Sequence, residues 1–228
     1  TTDPFSDPSA PAAAENLSIS YATPGATTAR ISCDLPTKTA GGNELKGLVN
    51  VAIVVDGDTV QIKENQSPGA EFSISLALTN GLHVLKVICL NSGGEGVAAS
   101  IKTFTGEDMP QIPTEVTAVA EESGKVTLSW TLPEAGINGG WVNLTKVSYD
   151  ILRNGESLST DIKETTYIDN LPENELKSYK YTVIVKFGGE ECGSVESNSV
   201  VFGKAVSLPY EQTFEDASSF DLLNIIDN

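Results

Sequence analysis

Histidine is almost missing from this chain: there is one in 228 residues, beside one methionine, two tryptophans and three cysteines. A histidine-dependent triad would therefore have to use His83, and a centre of several histidines is excluded. The three cysteines include no Cys-x-x-Cys pair, so they spell no zinc site. No unbroken apolar stretch approaches the roughly 20 residues that a membrane-crossing helix needs. The longest, Leu48 to Val55, has the length of a strand. Bases are few, 14 against 31 acids, for a net charge of −17, and the excess is spread along the chain rather than gathered in a tail. A diffuse negative surface repels nucleic acid and anionic lipid, and it also keeps a protein in solution. No segment of 11–18 residues sustains a helical apolar stripe. There is no glycine-rich phosphate loop and no Gly-x-Ser-x-Gly elbow, so no cofactor is expected.

What is present is alternation. Ala29, Ile31, Cys33 and Leu35 fall on one side of an extended segment, as do Val126, Leu128, Trp130 and Leu132, and the run from Tyr179 to Val185 repeats the pattern. Period two buries one face of a strand and wets the other. Short strands punctuated by Gly, Asn and Pro predict an all-β sandwich. The pattern also occurs twice. Cys33, Gly41, Gly57 and Gly93 recur as Trp130, Gly139, Gly155 and Gly188, at separations of 97, 98, 98 and 95. Each half includes a Leu-Pro, a Gly-Gly loop, an Asx-Gly turn (Asp56-Gly57, Asn154-Gly155) and a Gly-Gly-Glu turn. Asx-Gly is a strong hairpin signal because a type I′ turn needs positive φ at both central residues. The predicted organisation is a flexible tether over 1–14, sandwiches over 15–108 and 109–204, and a short extension over 205–228. Prolines bracket the connection at Gly106–Pro113.

The second half resembles the fibronectin type III domain. Pro113–Val119 matches strand A, Val126–Trp130 strand B with its core tryptophan, and Tyr149–Gly155 strand C and its hairpin. Thr166–Pro172 matches strand E and Tyr179–Val185 strand F. Tyr179 stands at the family's corner tyrosine, whose hydroxyl bonds backbone after a turn. The first half is similar with substitutions: Cys33 replaces the tryptophan and His83 the corner tyrosine. The segment Ser207–Asn228, with Pro209-Tyr210 and Phe214-Glu215, is similar to the opening of choice-of-anchor J and cleaved-adhesin jelly-roll modules of secreted Bacteroidetes proteins. The resemblance implies a piece of a longer exported protein, extracellular or on the cell surface. It implies a non-catalytic spacer or interaction module, possible in adhesion to host or glycan ligands. The alternative is an accessory region of a secreted hydrolase, a glycosidase or peptidase, whose catalytic domain lies elsewhere.

Within this frame the candidates for chemistry are few. Immunoglobulin-type sandwiches bridge strands B and F, which hold Cys33 and Cys89; the pair is either such a disulfide or two buried thiols. Cys192 reads as a lone exposed thiol in a turn with nothing beside it to lower its pKa. His83 reads as a packing or corner residue. Asp56-Gly57-Asp58 and Asp169-Asn170 lack the closing bidentate Glu of an EF-hand and read as ordinary turns, so no metal is expected; the Asp-Asn pair ending Ile225–Asn228 is a better place for one. Trp141 follows Gly139-Gly140 in a loop and is either a cap on the sandwich or an exposed contact for a sugar or protein partner. Asp58-Thr59-Val60 is similar to a short O-glycosylation acceptor, with Thr59 as the modified residue. A monomer is expected, with a protein or carbohydrate ligand, no nucleic acid and no membrane-spanning segment.

Overall fold

The computed structural model describes residues 7–172 and 176–204. The sequence similarity at 207–228 and the Asp-Asn pair at 227–228 lie outside the described residues. Seventeen strands account for nearly all regular structure. The first half contains β1 (Glu15–Tyr21), β2 (Thr28–Asp34), β3 (Val49–Val55), β4 (Asp58–Gln66), β5 (Glu71–Ala77), β6 (Gly81–Asn91), β7 (Gly94–Glu95) and β8 (Ala99–Thr105). The second contains β9 (Val116–Ala120), β10 (Lys125–Trp130), β11 (Val147–Arg153), β12 (Glu156–Ile162), β13 (Thr166–Asn170), β14 (Lys177–Tyr179), β15 (Tyr181–Phe187), β16 (Glu190–Glu196) and β17 (Val200–Phe202). Among the described residues a single 3-10 turn, Leu144–Lys146, interrupts them. Among the described residues no helix is long and apolar enough to cross a membrane.

Both halves build the same pair of antiparallel sheets. The first has a three-stranded sheet β1-β2-β5 and a sheet β4-β3-β6 extended by β7 and β8. The second has β13-β10-β9, β12-β11-β15-β16 and the small pair β14-β17. This is the strand order implied by labelling β9, β10, β11, β13 and β15 as A, B, C, E and F. The alternation reads out as burial: Ala29, Ile31 and Cys33 are buried on β2, and Tyr181, Val183 and Val185 on β15. In the first half one core joins Ile31, Cys33 and Phe72 of one sheet to Val51, Ile53, Leu85, Val87 and Cys89 of the other. Burying each such side chain stabilises by about 1.5–3 kcal/mol.

The two Asx-Gly turns have the geometry their residues predict. Asp56 and Gly57 sit at φ 53° and 102°, Asn154 and Gly155 at 49° and 85°. The side chains then do the same work twice. Asp56 Oδ1 accepts the Val84 N–H at 2.8 Å, and Asn154 Oδ1 accepts the Lys180 N–H at 2.8 Å. Each ties the C–C′ hairpin to the strand that follows the corner.

Three expectations are corrected. Residues 7–14 are no free tether. Ala10 is fully buried, Pro11 pairs with Thr39, and the Ala12 and Ala40 amides bond Lys38 O and Ala10 O at 3.0 and 2.7 Å. Its backbone polar groups have protein partners, so this stretch is ordered despite a linker-like composition. A Cβ on Gly96 would come within 2.2 Å of Pro11 O, so that close approach requires glycine. Leu132 does not continue the inward row of β10: the strand stops at Trp130 and Leu132 is 49% exposed, because Pro133 ends the ladder. Cys192 lies on strand β16, not in a turn, and is half-buried.

By compactness the chain forms two units that cut across the halves. Among the described residues the first takes 7–113 together with Leu132–Tyr149 and Val185–Gly193, and the second takes Thr114–Thr131, the described part of Asp150–Ile184, and 194–204.

Candidate functional site

Within the first unit, the segment after β8 is laced to the loop that precedes β11. The Asp108 N–H donates to Trp141 O at 2.7 Å, and Ile137 N–H to Met109 O at 2.9 Å. The centre of the lacing is Asp108, only 1% exposed. Its Oδ2 accepts the Asn138 and Gly140 amides at 2.8 and 3.0 Å, and its Oδ1 accepts Asn138 Nδ2 at 2.9 Å and the Met109 N–H at 2.8 Å. Burial pushes this carboxyl up, but the Asn138 side chain and the three backbone N–H groups outweigh it and hold the carboxyl below its usual value. Glycine is needed here for room. A Cβ on Gly136 would meet Asp108 Oδ2 at 2.2 Å, and one on Gly140 would meet the Phe104 ring at 2.5 Å. Beside it, Glu107 accepts from Asn143 Nδ2 at 2.9 Å and pairs with Lys146.

This clamp presents Trp141. The indole is 40% exposed, and its Cε3–Cζ3 edge lies over Gly25, where a Cβ would sit 2.4 Å away. One edge of Trp141 therefore packs and the rest faces solvent. It lines a cleft of about 620 Å³ with Tyr21, Thr23, Lys102, Phe104 and Asn138. The Tyr21 hydroxyl is pinned at 2.9 Å from both Thr103 Oγ1 and Thr105 Oγ1. The cleft thus has aromatic walls on a backing of satisfied hydrogen bonds. Asp108, Asn138 and Tyr21 were not singled out in the sequence; the Asn-Gly-Gly run at 138–140 was the available signal for a tightly folded loop.

His83, Tyr181, Asp169 and Arg153 are engaged in holding the fold. His83 is buried, with Nδ1 2.7 Å from Asp56 Oδ2 and Nε2 2.9 Å from Thr79 O. Both partners accept hydrogen bonds, so the doubly protonated ring satisfies both. Burial pulls the His83 pKa down, but the Asp56 and Thr79 hydrogen bonds and the Asp56 charge outweigh it and leave it above its ordinary value. The Tyr181 hydroxyl donates to Asp169 Oδ2 at 2.8 Å, and Arg153 Nη1 reaches the same oxygen at 2.9 Å. Tyr179 is buried at the end of β14, a strand separate from β15 rather than continuous with it, with the Arg153 guanidinium 5.9 Å from its ring centre. The turn its hydroxyl was expected to bond includes residues 173–175, outside the described residues.

Cys33 and Cys89 are buried free thiols. Burial, and the nearby Asp34 charge, push Cys33 up to about 11; burial and Cys33 itself push Cys89 up to about 12. Burial also raises Cys192. Thr59 is exposed on β4. Among the described residues no group of three or more His, Cys, Asp and Glu gathers to hold a metal.

No family model matches this sequence, and no curated protein matches it. Among solved structures the chain is similar to the crystal structure of the chicken CNTN1 FN1–FN3 domains, at 14% identity over 85% of this chain and 68% of that one, with a TM-score of 0.32. It is also similar to the central fibronectin-III array of RIM-binding protein, at 14% identity over 92% and 75%, with a TM-score of 0.31.

Proposed function

We propose that this chain is a non-catalytic extracellular spacer and interaction module of a bacterial surface or secreted protein, with sandwiches at 15–108 and 109–204. The observation that carries the reading is the Trp141 cleft. An amphipathic aromatic is held half-exposed by a buried carboxylate clamp, while His83, Cys33 and Cys89 are buried and bonded or raised in pKa. Rigid exposed aromatics give contact area at little entropic cost. The test is retention of the purified protein on immobilised glycans and extracellular proteins, run beside peptide and glycoside hydrolysis assays. The expected result is retention that Trp141→Ala weakens about tenfold or more, with no turnover. Turnover by the purified chain, or retention indifferent to Trp141, defeats the reading.

Two further sites belong to this proposal. In an oxidising compartment Cys33 and Cys89, which share one core cluster between facing sheets, form an S–S bond. Each thiol gives up a proton, and the electron pair passes to the disulfide of a thiol–disulfide oxidoreductase. Protein isolated from its native compartment without reductant is expected to show an intact mass lower by two hydrogens, mapped to the Cys33 and Cys89 peptides. An unchanged mass would argue against oxidising export. Thr59, accessible on β4, is the proposed O-glycosylation site, to be read as a hexose-bearing peptide spanning 58–60.

A further inference from the structure

The chemistry of the cleft narrows what it takes, on the footing that Trp141 is a binding residue as proposed above. In a chain where acids outnumber bases 31 to 14, the residues lining this cleft include no carboxylate, and their one formal charge is Lys102. The two other prominent clefts differ: one is lined by Asp34 and Glu71, the other by Asp56 and Asp58. Lys102 pairs with Val84 in the ladder of β6 and β8 and is exposed, and its ammonium has no hydrogen-bond or ion-pair partner among the described residues. A lone ammonium, three aromatic rings (Tyr21, Phe104, Trp141) and the hydroxyl and amide groups of Ser20, Thr23 and Asn138 line one open depression.

We infer that this cleft binds the acidic end-sugar of a glycan, a pyranose carrying one carboxylate such as a uronic or sialic acid. A pyranose ring offers C–H groups to stack on an indole and hydroxyls to exchange with Thr, Ser and Asn side chains. Its carboxylate answers Lys102, and no neighbouring carboxylate in the lining opposes it. The net charge of −17 restricts the ligand further. The field of the whole protein repels a polyanion strongly and a single terminal charge weakly, which selects a chain end over a nucleic acid or a sulfated polymer.

The test is titration of the intact chain with sialyllactose, with a glucuronic-acid-terminated disaccharide, with lactose, and with a glutamate-rich peptide, followed by calorimetry. Both acidic saccharides are expected to bind about fivefold more tightly than lactose, and Lys102→Gln to bring their affinities to the level of that variant's affinity for lactose. Trp141→Ala is expected to weaken all three saccharides about tenfold or more and Trp141→Phe to restore most of the affinity; melting curves of each variant confirm that it folds. Equal affinity for lactose and the acidic sugars, or a preference that survives Lys102→Gln, overturns the inference. Binding of the peptide alone in a Trp141-dependent manner also overturns it, and leaves the interaction module standing. Loss of Trp141 without consequence for any ligand defeats both.

Discussion

At the scale of single residues, the one histidine shows how a buried ring is held from both sides. His83 meets two acceptors, the Asp56 carboxylate and the Thr79 carbonyl. Only the imidazolium donates to both. Its pKa is raised above 6.5 in the folded protein, so its contribution to stability is complete below about pH 6.5 and is lost as pH rises through the folded value. Asp56 is lowered from 3.8, first by the Val84 N–H and then by His83. Its contribution is therefore present above about pH 4 and is lost as pH falls through its folded value. Melting temperature is expected to be highest between these limits and to fall from pH 6 to pH 9, with the alkaline decline flattened in His83→Gln. A variant with the same alkaline slope as the wild-type chain would show that the ring does not titrate in this range.

At the scale of elements, the loop before β11 depends on a residue more than two dozen positions upstream. Asp108→Ala would strip the side-chain partner from three backbone amides and from Asn138 Nδ2. Leaving such groups unsatisfied costs about 1–3 kcal/mol. Hydrogen exchange at Asn138 and Gly140 is expected to accelerate selectively, with exchange in β2, β3 and β6 unchanged, and uniform acceleration throughout would argue against a local clamp. The strands themselves were legible in advance. Period-two alternation marked β2, β10 and β15, and the Asx-Gly turns marked the ends of β3 and β11, since those signals act between residues a few positions apart. The ordering of residues 7–14 was not legible, because Ala, Pro and Ser carry no period and the partners that satisfy their backbone, Lys38, Ala40 and Val97, lie far along the chain. Leu132 was misplaced because alternation does not register that Pro133 stops the ladder.

At the scale of the whole molecule, the repetition is structural as well as textual. The strand β3 (Val49–Val55) recurs as β11 (Val147–Arg153), each continues into an Asx-Gly turn, and each lies between a C′-like and an F-like neighbour. The −17 charge acts on this framework as a uniform self-repulsion. Raising ionic strength from about 0.01 M to about 0.15 M shortens the screening length from about 30 to about 8 Å. The melting temperature at pH 7 is therefore expected to rise with added sodium chloride over this range. A fall would mean that local ion pairs such as Lys146–Glu107 and Arg153–Asp169 outweigh the general repulsion.

The amino-acid order alone determined the all-β class, the doubling of the unit, both hairpin turns and the inward-facing positions of β2, β10 and β15. Each follows from short-range alternation or from backbone angles that few residues tolerate. Only the tertiary structure decided that Asp108 holds the loop under Trp141, that His83 meets Asp56, that Tyr181 meets Asp169, and that one cleft of an acidic protein is free of carboxylates. Side chains that meet after the chain has closed on itself obey no sequence period, so their partnership is written in the fold rather than in the spacing of the letters.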